Sequence, residues 1–275
     1  GRFLNRTIPR TARLAAAVLA VLALAAAFVL RFSYSTSFLY PEYCGFDSAI
    51  FQTIGKYWAQ GVTPYAQLFD HKGPLIFFVD AVGYWLHGRS GVLVVQTLSL
   101  AAAIWGLYRL GRTALSRPWA MGAAALALVY LARTFDEGNM TEEYSLPFLA
   151  VSLYLAAHWC LARRNDPAKP HPWQWAVVYG GSFGTILMLR VTSAVAVCSY
   201  VLVIALALMV SRQWKNLFAN MGGFVGGFAL ITGPFAVYFA CKGSLGDMLY
   251  GTIGYNIFYA TEFSIAEYYG NSQWA

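Results

Sequence analysis

The chain has 275 residues and a formal net charge of +7, with 59% hydrophobic and only 11% charged residues, and its mean hydropathy is +0.52. A soluble domain carries about 25% charged residues, so this composition excludes that class, and only four cysteines over the whole length exclude a secreted disulfide-rich fold. Nucleic-acid binding would need the basic residues gathered on one solvated face, whereas here they separate apolar runs. The composition predicts an all-α polytopic membrane protein, with membrane lipid and no nucleic acid among its partners.

Apolar runs in chain order predict about seven transmembrane helices. A helix needs about 20 apolar residues to cross the hydrocarbon layer. The segment 173–211 holds 39 residues and a single charge, Arg190. As one helix it would be about 58 Å long, so we predict a hairpin that turns at Arg190. The predicted spans are residues 14–30, 90–108, 118–132, 146–162, 173–189, 191–211 and 217–241.

Residues 75–87 are left out of this count. They form a run of only 13 residues with Asp80 in its middle, which predicts a re-entrant or interfacial helix instead of a span. With seven spans and a cytoplasmic N-terminus, 12 of the 19 basic residues fall on the cytoplasmic side in four short segments, as the positive-inside rule requires. Counting residues 75–87 as a span would place the arginines of residues 109–117 outside.

The acidic residues follow the opposite distribution. Eleven of the twelve fall on the outer side, in the loops 31–89, 133–145 and 242–275. Acids contribute little to orientation, so their excess predicts a site on the outer face of a multi-pass membrane protein. We treat residues 1–275 as one transmembrane module, with juxtamembrane helices in loop 31–89, and expect the natural chain to continue beyond it.

Glycines at four-residue spacing predict close contacts between spans. Gly180 and Gly184 form one such step, and two interleaved steps follow in the last span. Such spacing lets helix backbones approach each other in a membrane. The interleaved steps pair Gly222 with Gly226 and Gly223 with Gly227.

The long first outer loop contains a predicted amphipathic helix that begins near Asp47. Apolar residues recur at Ile50, Phe51, Ile54 and Tyr57, which is the spacing of one helix face, with polar residues on the other side. Asp47 has two interpretations. It is an N-cap, as aspartate often is at that position, or a catalytic base held at the membrane surface.

The same loop ends in the run Asp70-His71-Lys72 directly before Gly73 and Pro74. These ionisable side chains fall at the depth of the lipid headgroups. Lys72 either extends to a lipid phosphate or faces inward, toward a phosphorylated substrate. The pattern leaves both alternatives open.

The second outer loop carries four acids within residues 136–143. Thr141 is predicted to cap the following span, which places Glu142 and Glu143 in its first turn, where the helix dipole favours acids. Four acids exceed what capping needs, and a cation or a hydroxyl-rich ligand such as a sugar would account for the surplus. The histidines at positions 87, 158 and 171 have no metal-ligand spacing and are predicted to be interfacial or surface residues.

Arg190 is the strongest single-residue indication of function. It stands alone between two apolar spans, and an arginine at a membrane edge is a functional hypothesis by default. Its planar guanidinium suits a pair of phosphate oxygens. The alternative is a side chain that extends from a short turn to the lipid headgroups.

Together these segments resemble the GT-C membrane glycosyltransferases, close to the protein-mannosyltransferase and lipid-A aminoarabinose-transferase group. Within it, the chain is most similar to bacterial proteins described as glycosyltransferase family 39 or RgtA/B/C/D-like. Three stretches carry the resemblance, and the middle one is the most specific. They are Phe46-Asp47-Ser48-Ala49-Ile50-Phe51, then Gly61-Val62-Thr63-Pro64-Tyr65 through Phe69-Asp70-His71-Lys72-Gly73-Pro74-Leu75, and Thr141-Glu142-Glu143-Tyr144-Ser145-Leu146-Pro147-Phe148.

The resemblance implies a role for each matching residue. Asp47 matches an essential aspartate, Glu142 and Glu143 match a second acidic motif, and Lys72 matches a lysine that contacts the donor's phosphate region. Arg190 fits a basic residue of similar role by topology alone. Substrate contacts are implied for the motif residues Tyr65, Asp70 and His71.

The implied reaction moves a sugar from a polyprenyl-phosphate-linked donor to a hydroxyl of a glycan, glycolipid or protein acceptor, with inversion. Some family members use a divalent cation (Mg or Mn), for which Asp47 and Glu142 would be ligands. The family's variable C-terminal module is missing from this chain. Two other classes compete with the enzyme, namely a transporter or flippase of a lipid-linked or anionic substrate and a non-catalytic scaffold subunit.

Overall fold

A computed structural model describes residues 9–43 and 45–258, and the regular structure in this part of the chain is helical, without a β-strand. A 3-10 turn, Val191–Ala194, precedes α7, and a π turn, Tyr250–Gly254, follows α9. The helices are α1 Arg10–Phe32, α2 Asp47–Ala59, α3 Pro74–Gly111, α4 Arg117–Thr134, α5 Thr141–Asn165, α6 Trp173–Leu189, α7 Val195–Val210, α8 Trp214–Cys241 and α9 Leu245–Leu249.

Within residues 9–43 and 45–258, five helices are long and apolar enough to cross a membrane. They are Leu14–Phe32, Pro74–Gly111, Thr141–Asn165, Val191–Val210 and Trp214–Cys241. The all-helical membrane architecture is thereby supported. The seven predicted spans also need α4 and α6, which are helical but have only 18 and 17 residues. Their crossing of the membrane stays a prediction.

Helix α3 breaks sharply at His87 and Gly88. Gly88 has φ +60° and ψ −140°, a conformation that glycine adopts without steric penalty. A β-carbon on Gly91 would overlap the carbonyl oxygen of Gly83, although eight residues of straight helix would separate these two by about 12 Å. The chain therefore folds back, and residues 74–86 pack against the start of residues 89–111. This break separates residues 75–87 from the span that follows them.

The closest pair of helices is α6 with α8. A β-carbon on Gly180 would overlap the Phe224 carbonyl oxygen, and one on Gly227 would overlap that of Val177. The predicted close contacts are therefore present for these glycines and for Gly223. Gly222 and Gly226 face open space, with no heavy atom within 4 Å of an added β-carbon, so only one of the two interleaved steps serves packing.

Helix α2 buries Phe51, Ile54 and Trp58 in the protein, whereas Ile50 and Tyr57 are 40% and 43% exposed. The apolar face of α2 is thus divided between the contact with α3 and the surface of the protein. The expectation that His171 is an interfacial or surface residue was wrong. His171 is buried, since its ring is enclosed by tryptophan and tyrosine rings and hydrogen-bonds to α8.

One apolar core holds the elements that carry the predicted site. It lies where α2, the start of α3, the start of α5 and the end of α6 meet. Burial of the core side chains fixes the positions of the helix ends around the core. The core residues include Phe51, Ile54, Trp58, Tyr65, Ile76, Phe77, Tyr144, Leu189 and Phe239.

Candidate functional site

Asp47 and Lys72 lie side by side at the start of α2. The Lys72 Nζ atom is 4.0 Å from Asp47 Oδ2, and the Asp47 side chain is 39% exposed. Asp47 is the first residue of α2, and the N-cap position is occupied by Phe46. The N-cap interpretation of Asp47 is therefore wrong. Its carboxylate faces a lysine instead of the backbone.

Glu137 caps α2 in place of Asp47. Its Oε2 atom accepts the Phe46 backbone N–H at 2.6 Å, and its Oε1 atom accepts that of Ser48 at 2.8 Å. The Tyr43 hydroxyl donates to the same carboxylate at 3.2 Å. Glu137 is 5% exposed, so a buried anion satisfies the helix N-terminus from a different loop.

The predicted substrate residues Tyr65 and Asp70 hold the backbone of Lys72. The Tyr65 hydroxyl donates to the Lys72 carbonyl oxygen at 2.7 Å, and the Lys72 N–H donates to Asp70 Oδ1 at 2.8 Å. Burial raises the pKa of the Tyr65 hydroxyl above its ordinary value, so it stays a donor. His71 Nδ1 lies 4.0 Å from Asp70 Oδ1. Direct contact of these three residues with a substrate stays a prediction.

Arg190 and Glu142 form a second ion pair. Helix α6 ends at Leu189, and Arg190 continues in an extended conformation with φ −154°. Its guanidinium donates to Glu142 Oε1, while Thr141 Oγ1 donates to Glu142 Oε2 at 2.8 Å. Thr141 is the first helical residue of α5 and not its N-cap, which is Met140. The predicted capping role of Thr141 is wrong.

A backbone contact brings the two ion pairs together. The Gly73 N–H donates to the Leu189 carbonyl oxygen at 3.2 Å, and these residues directly follow Lys72 and precede Arg190. A β-carbon on Gly73 would overlap the Met188 carbonyl oxygen. Glycine is therefore required at position 73 for the two basic residues to be neighbours. The backbone on which Lys72 stands therefore adjoins the backbone on which Arg190 stands, and these are the two residues for which donor-phosphate contacts were predicted.

Glu143 does not pair with either of these two basic residues. It is 7% exposed, and its Oε1 atom accepts the Met140 N–H at 2.9 Å and an N–H of Gln96, also at 2.9 Å. Gln96 continues the network to Ser33 and Thr36. The two glutamates of the second acidic motif thus differ. Glu142 faces Arg190, whereas Glu143 joins α5 to α3.

A buried aspartate, Asp80, was not among the predicted site residues. It is 0% exposed, and Asn139 Nδ2 donates to its carboxylate at 3.0 and 3.2 Å. Asn139 in turn contacts Ser48 and accepts from the Tyr144 hydroxyl. The sequence did carry an indication, since a charge within an apolar run needs a buried partner. The network joins α2, α3 and α5 beneath Asp47.

An apolar groove begins next to the two basic residues. It lies between α3, α5, α6 and α8, has a volume of about 660 Å³ and includes Leu75 and Leu189. A second cavity of about 730 Å³ continues it toward Trp58 and Tyr238. The two share the lining residues Leu75, Phe148, Thr185 and Ile231.

The described residues contain no group of three or more histidine, cysteine, aspartate or glutamate side chains that could hold a metal ion. Asp47 and Glu142, the predicted ligands, each pair with a basic side chain. These two carboxylates are therefore neutralised without a cation in this arrangement. A divalent cation at the site stays a prediction.

In the part of the chain that the structure describes, the fold is all-helical, five helices are able to cross a membrane, and a cluster of paired charges lies at one end of the bundle. The chain matches no family model, no curated protein and no solved structure. Its likeness to the GT-C glycosyltransferases rests on the three sequence stretches.

Proposed function

We propose that the chain is the seven-helix module of a GT-C glycosyltransferase in a bacterial plasma membrane, with its paired charges on the outer face. In this proposal α4 and α6 cross the membrane along with the five longer or more apolar segments. The enzyme moves a sugar from a polyprenyl-phosphate-linked donor to an acceptor hydroxyl of a glycan, glycolipid or protein. The observation that carries the proposal is the backbone contact of Gly73 with Leu189, which places Lys72 and Arg190 on adjoining backbone segments next to an apolar groove.

The groove and the two bases match the two parts of such a donor. A polyprenyl chain is apolar and gains from burial among groove residues such as Leu75 and Leu189. Its phosphate is anionic, and the Arg190 fork suits two phosphate oxygens while Lys72 adds a point charge. In the absence of donor, Asp47 neutralises Lys72 and Glu142 neutralises Arg190. Donor phosphate competes with both carboxylates.

The competition between donor phosphate and Asp47 for Lys72 also frees Asp47 to act as the catalytic base. When the phosphate takes Lys72, the Asp47 carboxylate is released to accept the proton of the acceptor hydroxyl. The acceptor oxygen then bonds to the anomeric carbon as the bond from that carbon to the phosphate oxygen breaks. Polyprenyl phosphate leaves with the electron pair, and Lys72 and Arg190 stabilise its developing charge. Attack opposite the leaving group inverts the anomeric centre.

Lipid retained by the purified protein tests the donor site. We expect mass spectrometry to find polyprenyl phosphate in wild type and to find it lost in Arg190→Ala. Arg133→Ala is the matched control, because Arg133 is an exposed arginine near the same end of the bundle. Bulk phospholipid alone in wild type, or equal loss in both variants, would contradict the assignment.

A transfer assay with a polyprenyl-phosphate sugar tests the enzyme itself. Removing a general base costs roughly 10²- to 10⁴-fold in rate, so Asp47→Asn should lower transfer by that factor while polyprenyl phosphate remains bound. Unchanged function in Asp47→Asn would favour a transporter, a flippase or a scaffold subunit over the enzyme.

A further inference from the structure

A second polar cavity lies at the other end of the bundle. It has a volume of about 620 Å³ and is formed by the end of α3, the start of α4 and the later part of α5. Its lining combines basic and aromatic side chains and contains no acid. These residues are Trp105, Tyr108, Arg109, Arg112, Thr113, Arg117, Tyr154 and His158.

Three arginine side chains line this cavity, and no acidic side chain among the described residues neutralises them. Within residues 9–43 and 45–258, no carboxylate forms an ion pair with Arg109, Arg112 or Arg117. Arg109 is held by Tyr154, whose hydroxyl accepts its N–H at 2.9 Å and whose ring centroid lies 5.2 Å from the guanidinium carbon. Arg112 donates to the Leu115 carbonyl oxygen at 2.6 Å. Both side chains keep further N–H groups that can bind an anion.

Helix α4 adds to the positive potential. Arg117 is its first residue, and the preceding Ser116 makes no side-chain capping hydrogen bond. The N-terminus of an 18-residue helix carries partial positive charge and N–H groups that lack partners in the helix. An anion in the cavity therefore meets this helix end together with three guanidinium groups.

The cavity is remote from the paired charges. Along α5, Glu142 and His158 are 16 residues apart, which corresponds to about 24 Å and approaches the thickness of a bilayer's hydrocarbon core, about 30 Å. Trp105, Tyr108 and Tyr154 are residue types that concentrate at the membrane surface. Beside the cavity, Leu115 and Trp119 are 42% and 73% exposed. These apolar side chains suit contact with lipid.

We propose that this cavity binds the phosphate of an anionic phospholipid from the leaflet opposite the glycosyl-transfer site. Arginine recognises phosphate through two parallel N–H bonds, and Leu115 and Trp119 give the attached acyl chains an apolar surface. A free phosphate would gain nothing from that surface. The site is independent of sugar transfer.

Native mass spectrometry of the full chain, titrated with phosphatidylglycerol or phosphatidylcholine, tests the proposal. We expect a preference for phosphatidylglycerol and about fivefold weaker binding for each arginine removed in Arg112→Gln and Arg117→Gln. Arg164→Gln is the control, because Arg164 is in the last turn of α5 and outside the cavity lining. Phosphatidylcholine binding should stay unchanged in all three variants.

Three outcomes would overturn the proposal. Equal loss in Arg164→Gln would mean general attraction to a basic surface. Equal binding of both lipids, each of which carries a phosphate, would mean that the cavity does not select an anionic phospholipid. Displacement of phosphatidylglycerol by inorganic pyrophosphate would assign the cavity to a soluble phosphate. Thermal unfolding of each variant without added lipid checks that the variant is folded. Arg112→Lys keeps the positive charge but loses the two parallel N–H donors of the guanidinium, so this variant should retain part of the preference for phosphatidylglycerol.

Discussion

At the start of α2, two carboxylates have opposite surroundings. Asp47 is exposed beside Lys72, whereas Glu137 is buried and accepts the backbone N–H groups on either side of Asp47. A buried anion that bonds two helix N-terminal donors is held firmly by charge-assisted hydrogen bonds. Glu137 therefore fixes the backbone that carries Asp47, and Asp47 keeps its carboxylate directed at Lys72. Glu137 is a positioning residue for the proposed base.

Replacing Glu137 by glutamine should lower sugar transfer by about tenfold with little change in bound polyprenyl phosphate. Glutamine keeps the shape but loses the charge and one acceptor oxygen, and a hydrogen bond to a charged group contributes about 1.5–3 kcal/mol. The measurement is kcat and KM for transfer, together with mass spectrometry of retained lipid.

Asp136→Asn is the matched control for this variant, because Asp136 is the neighbouring acid and is exposed. We expect Asp136→Asn to transfer sugar at the wild-type rate. Equal losses of kcat in both variants would mean that Glu137 acts only through the net charge of the loop. Loss of bound lipid in Glu137→Gln would place its effect on the donor site instead.

Individual residues were predictable from sequence where a charge follows or precedes an apolar run. Asp47, Lys72, Glu142 and Arg190 all stand in such places, and the structure brings them into two ion pairs. Glu137 was missed as a cap because its contacts depend on the turn that precedes α5. That turn has positive φ at Asp136, Gly138 and Asn139, and residue type alone does not define its geometry.

At the scale of helices, the length of an apolar run predicts that a helix exists better than it predicts which face of that helix is buried. The hairpin turn at Arg190 and the separate segment 75–87 both follow from how far a helix can reach. The side of α2 that is buried in the protein could not be predicted, because it depends on contact with α3. Gly55 lies directly against Asp80 there, so α2 buries Ser48 and Gln52 in the polar network instead of exposing them.

The packing of α6 on α8 provides a matched pair of glycine substitutions. In Gly227→Ala the new methyl group would overlap the Val177 carbonyl oxygen, whereas Gly226 has open space around it. Overpacking typically costs about 1–3 kcal/mol, so Gly227→Ala should lower the thermal unfolding midpoint in detergent. Gly226→Ala should leave the midpoint unchanged or raise it, since alanine favours helix over glycine by about 1 kcal/mol. Equal midpoints for the two variants would contradict this packing.

For the whole molecule, the two ends of the bundle differ in chemistry. One end carries the carboxylates, their paired bases and the mouth of the apolar groove, and the other carries three arginines without ion-pair partners in the described part of the chain. The positive-inside rule predicts that the arginine end faces the cytoplasm. This assignment makes the proposed transfer site outward-facing, where a lipid-linked sugar and an envelope acceptor would meet.

Cysteine labelling tests that orientation and the crossing of the membrane by α5 together. With all four native cysteines replaced by serine, we introduce Asp136→Cys or Lys169→Cys, which lie in the loops before and after α5. A membrane-impermeant maleimide should label position 136 in intact spheroplasts and position 169 only after permeabilisation. Labelling of both positions in intact cells would mean that α5 does not cross the membrane. The reverse pattern would place the arginine cavity outside and remove the outer leaflet as the source of the donor.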